Sequence, residues 1–264
     1  MALDISSEAA WLRARLEGLA ARPVWGESKI HLRIALPNIR QLVVERRAAL
    51  EAAEDVEVGE LADRLWTGVT YDEMALAVAV LRLRPTLVTE ERIDRWRADL
   101  DGWGVTDDLA SVVRSWVADD PATRMATLER LVREPGAWTR RLALLSTIAL
   151  AREGNAVHRV LDLVTAALDD ARPIVERAVS TVLREAGTVT PEEVLTYLEE
   201  QSDRLPARTR LEVRNKIRTG RKDGDHKEGR RDRGDARRRR KDEARKKQGA
   251  GRTGRPAGRR GRSG

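Results

Sequence analysis

Trp103 and Asp107 are the residues whose types and spacing point most directly to chemistry. They stand four apart in the run Leu100-Asp-Gly-Trp103-Gly-Val-Thr-Asp107-Asp108-Leu109. That separation puts two side chains on one face of a helix. A tryptophan π-face attracts a cation, and a carboxylate beside it can stabilise positive charge that develops during a reaction. A structural account competes with this one. Trp103 can equally pack in a core, and Asp107 or Asp108 can complement the positive end of a helix. Two arginines add context. Arg141 lies in Trp138-Thr-Arg-Arg141, and Arg184 lies in Val182-Leu-Arg184-Glu185. Both stretches are otherwise apolar, so each guanidinium needs a polar partner or an exposed face. A phosphate would serve, and so would a salt bridge to a nearby acid.

Other chemistries are excluded by composition. The chain has no Cys, which removes disulfides, thiolate nucleophiles and Cys-based metal sites. Its three His, at 31, 158 and 226, are scattered and form no His-Glu-x-x-His pattern, so a zinc hydrolase is not expected. Gly249-Ala-Gly251-Arg-Thr-Gly254 matches the dinucleotide pattern G-x-G-x-x-G, but that motif needs a strand before it and a helix after it. Here it sits in a Gly/Arg-rich stretch.

The elements that must position these residues read as helices. Aromatics make up 3% of the chain, with seven Trp, two Tyr and no Phe, so the core must rest on Leu, Val, Ile and Ala. Thr70-Tyr-Asp-Glu73 is a capping-box pattern ahead of an apolar run, and Thr89 precedes another. Asp120-Pro121 and Thr190-Pro191-Glu192-Glu193 each place a cap residue before a first-turn proline. Gly154 and Gly187 stand where helices should end. No segment alternates with a period of two. The spacing predicts about twelve helices and no sheet. One internal echo supports stacking: Trp138-Thr-Arg-Arg141-Leu-Ala143 and Ile174-Val-Glu-Arg177-Ala178 open similar helices 36 residues apart. Helix-pair repeats of roughly 40 residues build solenoids of the HEAT type, although an ordinary helical bundle with one chance echo is the competing account.

Charge divides the chain at about residue 219. Residues 220–264 carry 19 Lys and Arg against 7 Asp and Glu, a net +12, while the remainder carries a net −5. The expected domains are therefore 1–219, a folded and mildly acidic body, and 220–264, a basic tail. With almost no aliphatic residues the tail is expected to be disordered, with a transient helix around Asp235 to Gln248. Arg237, Arg238, Arg239, Arg240 and Lys241 would displace counterions from a polyanion, DNA or RNA, without reading its sequence. No apolar run suggests a signal peptide or a membrane span, so the expected location is the cytoplasm, close to the nucleoid.

Several segments together resemble the HEAT-like-repeat DNA alkylation repair family, the AlkD-like alkylpurine DNA glycosylases. Ile34-Ala-Leu-Pro37-Asn-Ile-Arg40 is similar to an early Ile-x-x-Pro-x-x-Arg segment. Trp103 to Asp107 is similar to a Trp-x-x-x-Asp active-site segment, and Trp138 to Ala143 to a Trp-x-x-Arg-x-Ala segment. Ile174 to Glu185, Pro191 and Leu205 to Arg210 resemble the C-terminal repeats. The likeness spans roughly residues 8–218, in the same order.

The resemblance implies an all-α, HEAT-like-repeat superhelical solenoid that binds double-stranded, alkylated DNA as a monomer. It also implies excision of cationic N3- or N7-alkylated purines with neither metal nor organic cofactor. By residue match, Asp107 stabilises an oxocarbenium-like sugar and positions water, and Trp103 packs against the nucleotide. Arg141 and Arg184 hold phosphates. Two positions depart from the family pattern: Thr181 stands where a second active-site Trp is usual, and Arg33 where Gly is usual. The first departure keeps open a non-catalytic relative that binds damaged or branched DNA. A protein-binding scaffold, with the tail as a separate nucleic-acid contact, is a third reading.

Overall fold

Helix-favouring Leu, Ala, Arg and Glu dominate the sequence, and capping residues punctuate it at short intervals. The computed structural model describes residues 3–223, apart from 27 and 155. Among those residues the protein is all-α, with fourteen α-helices, two short 3-10 turns (Pro85–Leu87 and Arg97–Asp99) and a single two-stranded ribbon. The ribbon, β1 (Val24–Trp25) paired antiparallel with β2 (Ile30–His31), departs from the expectation of no sheet. Strands of two residues are too short to show alternation in the sequence.

Six helices form a front row: α2 (Leu36–Glu45), α5 (Tyr71–Leu83), α7 (Trp103–Asp119), α9 (Ala137–Ser146), α12 (Pro173–Ala186) and α14 (Ala207–Thr219). Each packs on the next. Their first residues are spaced 32 to 36 apart, so the 36-residue echo seen between Arg141 and Arg177 is one instance of a period that runs through the whole described chain. Two short helices, α3 (Arg47–Ala52) and α10 (Ile148–Glu153), continue α2 and α9 after a break of one residue.

A back row covers the apolar side: α1 (Ile5–Leu19), α4 (Asp55–Trp66), α6 (Glu90–Trp96), α8 (Pro121–Leu131), α11 (Val157–Thr165) and α13 (Pro191–Glu200). No helix pair could bury its apolar face alone, and between the rows the aliphatic side chains form one continuous core. Polar bonds link successive back-row helices. Arg92 on α6 pairs with Asp63 on α4, Arg130 on α8 with Asp94 on α6, Arg159 on α11 with Glu129 on α8, and Tyr197 on α13 with Thr165 on α11. Trp66 and Trp96 stack at 4.2 Å, and each indole N–H donates to an aspartate.

Local signals act mostly as their chemistry dictates. Thr70 and Glu73 close a reciprocal capping box, Thr89 caps α6 and Asp120 caps α8. Gly154 ends α10 in the left-handed region at φ 77. Gly187 ends α12 in right-handed geometry instead. Its lack of a side chain matters because a Cβ there would meet Ile217 at 2.8 Å. At α13 the expected cap does not form: the Thr190 hydroxyl donates back to the Ala186 carbonyl, and Pro191 alone starts the helix. Among the described residues no helix is long and apolar enough to cross a membrane.

Candidate nucleic-acid interface

The repeat explains how distant residues meet. The fifth residues of α7, α9 and α12 are Asp107, Arg141 and Arg177, which therefore occupy equivalent positions on three consecutive, mutually packed helices. The guanidinium on α9 meets the carboxylate on α7, and the guanidinium on α12 meets the Trp103 ring at the start of α7.

The start of α7 is held by the first residue of α5, Tyr71, and through it by the ribbon. Gly102 is its N-cap and offers no side chain to the first turn. A Cβ there would lie 3.4 Å from the Tyr71 ring. The Tyr71 hydroxyl donates to Asp101 at 2.9 Å, and the His31 ring stacks on Tyr71 at 4.1 Å. The ribbon is thereby tied to the segment that launches Trp103, while Trp25 on the ribbon remains 79% exposed.

Trp103 is the first residue of α7 and is 39% exposed, so it is not a core residue. Its ring meets the edge of Trp138 at 5.6 Å in a T-shaped contact. Two guanidiniums lie against it, Arg141 at 4.4 Å and Arg177 at 5.1 Å from the ring centroid. Asp107, one turn on, lies beyond the first turn of the helix. Its partner is therefore not the helix end but Arg141, whose Nε and Nη2 donate to its two oxygens at 2.7 Å each. The Arg141 Nη1 donates to the Ile174 carbonyl at 3.1 Å. Arg141 is buried, so this fork fixes the carboxylate on the protein side, while the Asp107 side chain keeps 45% of its surface exposed. Of the two partners the sequence left open for Arg141, a phosphate or a nearby acid, the fold supplies the acid, Asp107; the phosphate role is what the resemblance implies.

Arg184 is half-buried on α12, two turns beyond Arg177. Its Nε donates to the Ser180 carbonyl and its Nη2 to the Thr181 hydroxyl, and it forms no ion pair among the described residues. Thr181 donates to the Arg177 carbonyl, so its side chain ties down α12 and Arg184. Trp103, Arg141, Arg177, Thr181, Arg184 and Arg208 line a groove of about 660 Å³ between the start of α7 and the seam of α12 with α14. Glu212 also lines it. Burial pushes the Glu212 carboxyl up, but hydrogen bonds from Arg208 and Ser180 outweigh this and hold it below the usual carboxylate range. The groove thus offers a π-face and several guanidiniums beside the carboxylates of Glu176 and Glu212, and the half-exposed Asp107 carboxylate adjoins it through Arg141, a set suited to a ligand with a phosphate backbone and a cationic ring.

The neighbouring carboxylate behaves differently. Asp108 is buried, and its Oδ1 accepts from Arg40 at 2.7 Å and Arg82 at 2.8 Å. Arg40 is the fifth residue of α2, so Asp108 knits α2, α5 and α7 together. Sequence reasoning missed Arg177 and this Asp108 node. A tally of cations at equivalent repeat positions is the signal that could have found them. Arg237 to Arg240 and Lys241 lie outside the described residues. Among those described, no cluster of His, Asp or Glu could hold a metal ion.

Over residues 28–217 the sequence matches the DNA alkylation repair enzyme family. Two solved structures share the fold. One is a predicted DNA alkylation repair enzyme from Enterococcus faecalis, 15% identical with a TM-score of 0.58, covering 76% of this chain and 91% of that one. The other is smu.31 from Streptococcus mutans UA159, 14% identical with a TM-score of 0.56, covering 73% of this chain and 89% of that one. At such identities the likeness is one of fold. No curated protein matches in sequence.

Proposed function

The chain belongs to the DNA alkylation repair enzyme family, with a role in DNA repair and DNA as its substrate or partner; on that premise we propose that it is a DNA glycosylase that hydrolyses the N-glycosidic bond of cationic N3- or N7-alkylated purines in duplex DNA. The observation that carries this reading is the pairing of an exposed π-face with a half-exposed, rigidly oriented carboxylate on one helix face, Trp103 with Asp107.

In this scheme Trp103 packs against the alkylated nucleotide. As the bond between the sugar C1′ and the purine nitrogen breaks, its electron pair moves to the base and cancels the formal charge there. Positive charge passes to the sugar, where Asp107 stabilises it. Water adds to C1′ and loses its proton to solvent. An alkylated purine is already cationic and leaves readily, so no strong general acid is required. Arg141 orients Asp107 through its two-point fork, and Arg177 and Arg184 take the flanking phosphates. The basic segment Arg237 to Lys241 adds affinity for the polyanion, and the protein acts as a monomer on chromosomal DNA in the cytoplasm.

One observation favours a second reading, a non-catalytic protein that binds damaged or branched DNA. Across from Trp103, α12 presents Arg177 and Thr181 and no aromatic ring. A cation already lies on the π-face where a cationic base would dock.

Base release from methylated duplex DNA separates the two. Wild type should release 7-methylguanine or 3-methyladenine, and Asp107→Asn should do so at least about 10²-fold more slowly while still binding duplex. Wild-type binding without release would select the second reading. Undiminished release by Asp107→Asn would remove Asp107 from the centre of the reaction.

A further inference from the structure

The repeat brings a second set of residues into register. Counted from the first residue of each front-row helix, the twelfth positions are Arg47, Arg82, Arg114, Ile148, Arg184 and Arg218. The fourth repeat is the exception: α9 breaks at Thr147, and Arg152 on the continuing helix α10 supplies a cation one turn further on. From Arg47 to Arg184 the series is linked in space as well as in sequence. Arg47 and Arg82 line one small cavity with Arg40. Arg82 and Arg152 both act electrostatically on Arg114. Arg152 pairs at 2.8 Å with Glu185, the residue next to Arg184. Arg114 itself is seven residues after Asp107, hence on the same face of α7 and about 10 Å further along its axis.

Most of these cations have an acid at hand: Arg47 has Glu51, Arg82 has Asp108 and Arg152 has Glu185. Arg114 is different. It is half-buried, its Nε is shielded from water with no hydrogen-bond partner, and it forms no ion pair among the described residues. Burial, followed by Arg152 and Arg82, pulls its pKa below the ordinary arginine value, although Glu185 and Asp107 oppose this. The helices that carry Arg82 and Arg152, α5 and α10, both pack on α7, and a guanidinium withdrawn from water in the field of two others is unfavourable in the free protein. The arrangement becomes favourable when an anion arrives from outside, and a phosphodiester presents two oxygens that match the guanidinium fork.

We infer that Arg114 is a seat for a backbone phosphate of DNA, flanked by Arg82 and Arg152, and that the arginines at the twelfth repeat position follow one strand past the Trp103–Asp107 site. The inference rests on the reading that this face binds DNA, but not on catalysis.

The test is the salt dependence of binding of the full-length protein to a short, unmodified duplex, over about 50 to 200 mM salt. Loss of one phosphate contact lowers the slope of log K against log salt by about 0.9. Arg114→Gln should show that decrease and bind several-fold more weakly at low salt, with a melting temperature unchanged or higher. Arg114→Lys should recover the slope, because the charge is kept, and remain weaker than wild type, because it cannot fork. An unchanged slope and affinity in Arg114→Gln would overturn the inference. So would a large loss of thermal stability, which would mark Arg114 as a structural residue. A wild type that binds no duplex would remove both this inference and the DNA-binding reading. A wild type that binds and shows the slope change, yet releases no methylated base, would leave the phosphate seat standing and remove only the glycosylase.

Discussion

Asp107 and Asp108 are adjacent, chemically identical and both paired with arginine, yet their surroundings differ in every respect that bears on function. Asp108 points toward α2 and α5, is 4% exposed and receives two guanidiniums on one oxygen. Its partners come from earlier repeats, and among the described residues no aromatic ring lies against either guanidinium. Asp107 points toward α9 and α12, is 45% exposed and receives one two-point fork beside the Trp103 ring. One carboxylate is used up in joining repeats. The other is held from behind and left open in front. A helix rotates about 100° per residue, so a single step in sequence separates a seam from a groove.

The widest divergence between the two should appear when each is neutralised. Asp107→Asn should slow base release by at least about 10²-fold. Asp108→Asn should leave release by the folded protein near the wild-type rate. Stability should run the other way. Asp108→Asn removes the shared partner of Arg40 and Arg82, and should cost about 1–3 kcal/mol, tempered because both arginines can reach water. Asp107→Asn should cost about 1–2 kcal/mol, since Arg141 keeps the Ile174 carbonyl. Denaturant melts alongside release assays measure both. Equal loss of release in the two variants would dissolve the distinction between seam and site.

How much of this was legible beforehand depended on the distance over which each interaction acts. The placement of Trp103 and Asp107 on one helix face needed only a four-residue spacing. The capping box at Thr70 and Glu73 is equally local, and it formed. Arg141 illustrates the limit. A guanidinium in an apolar helix announces a need for an anion but not which one, and a carboxylate 34 positions upstream becomes its partner only once the repeat length is known. The period itself was hidden at most repeats. Aliphatic side chains interchange freely in a stacked core, and the breaks at Arg46 and Thr147 split two front-row helices. Arg177 and Arg114 look like ordinary helix arginines until the six front-row helices are set in register. At Thr190 local and tertiary demands compete, and the hydroxyl serves the helix before it rather than the one it precedes.

The open side of α7 depends on a support that acid should dissolve. Asp170 is buried and accepts from Arg140, the neighbour of Arg141 on α9, and from Arg172, the cap residue of α12. Hydrogen bonding from Arg172 holds the Asp170 carboxyl below the usual carboxylate range, with smaller help from the Arg140 charge, although burial opposes it. A folded-state pKa below the unfolded value of about 3.9 means stability that is present above that value and lost as pH falls through the folded one. Wild type should therefore melt well above Asp170→Asn at pH 7, and the gap should close as pH drops below about 4. A gap that stays constant down to pH 3 would mean that the charge on Asp170 contributes nothing.

The closed side carries a strain that can be relieved without touching its ion pairs. Arg33 is exposed and holds φ at 60, the left-handed region, immediately before the segment that leads into α2 and Arg40. Asp72 imposes that conformation by accepting from the backbone N–H groups on either side, Leu32 at 2.7 Å and Ile34 at 3.3 Å. A side chain in this region costs roughly 1–2 kcal/mol that glycine avoids, while glycine gives up part of the gain through the greater freedom of its unfolded chain. Arg33→Gly should therefore stabilise the fold by up to about 1 kcal/mol, seen as a melting temperature higher by about 2–4 °C. Base release and the salt slope of duplex binding should not move, because the change is confined to the approach to the Asp108 seam. A lower melting temperature would show that the Arg33 side chain contributes more than its backbone strain costs. A shallower salt slope would show that the DNA-binding surface reaches past α2 to the ribbon.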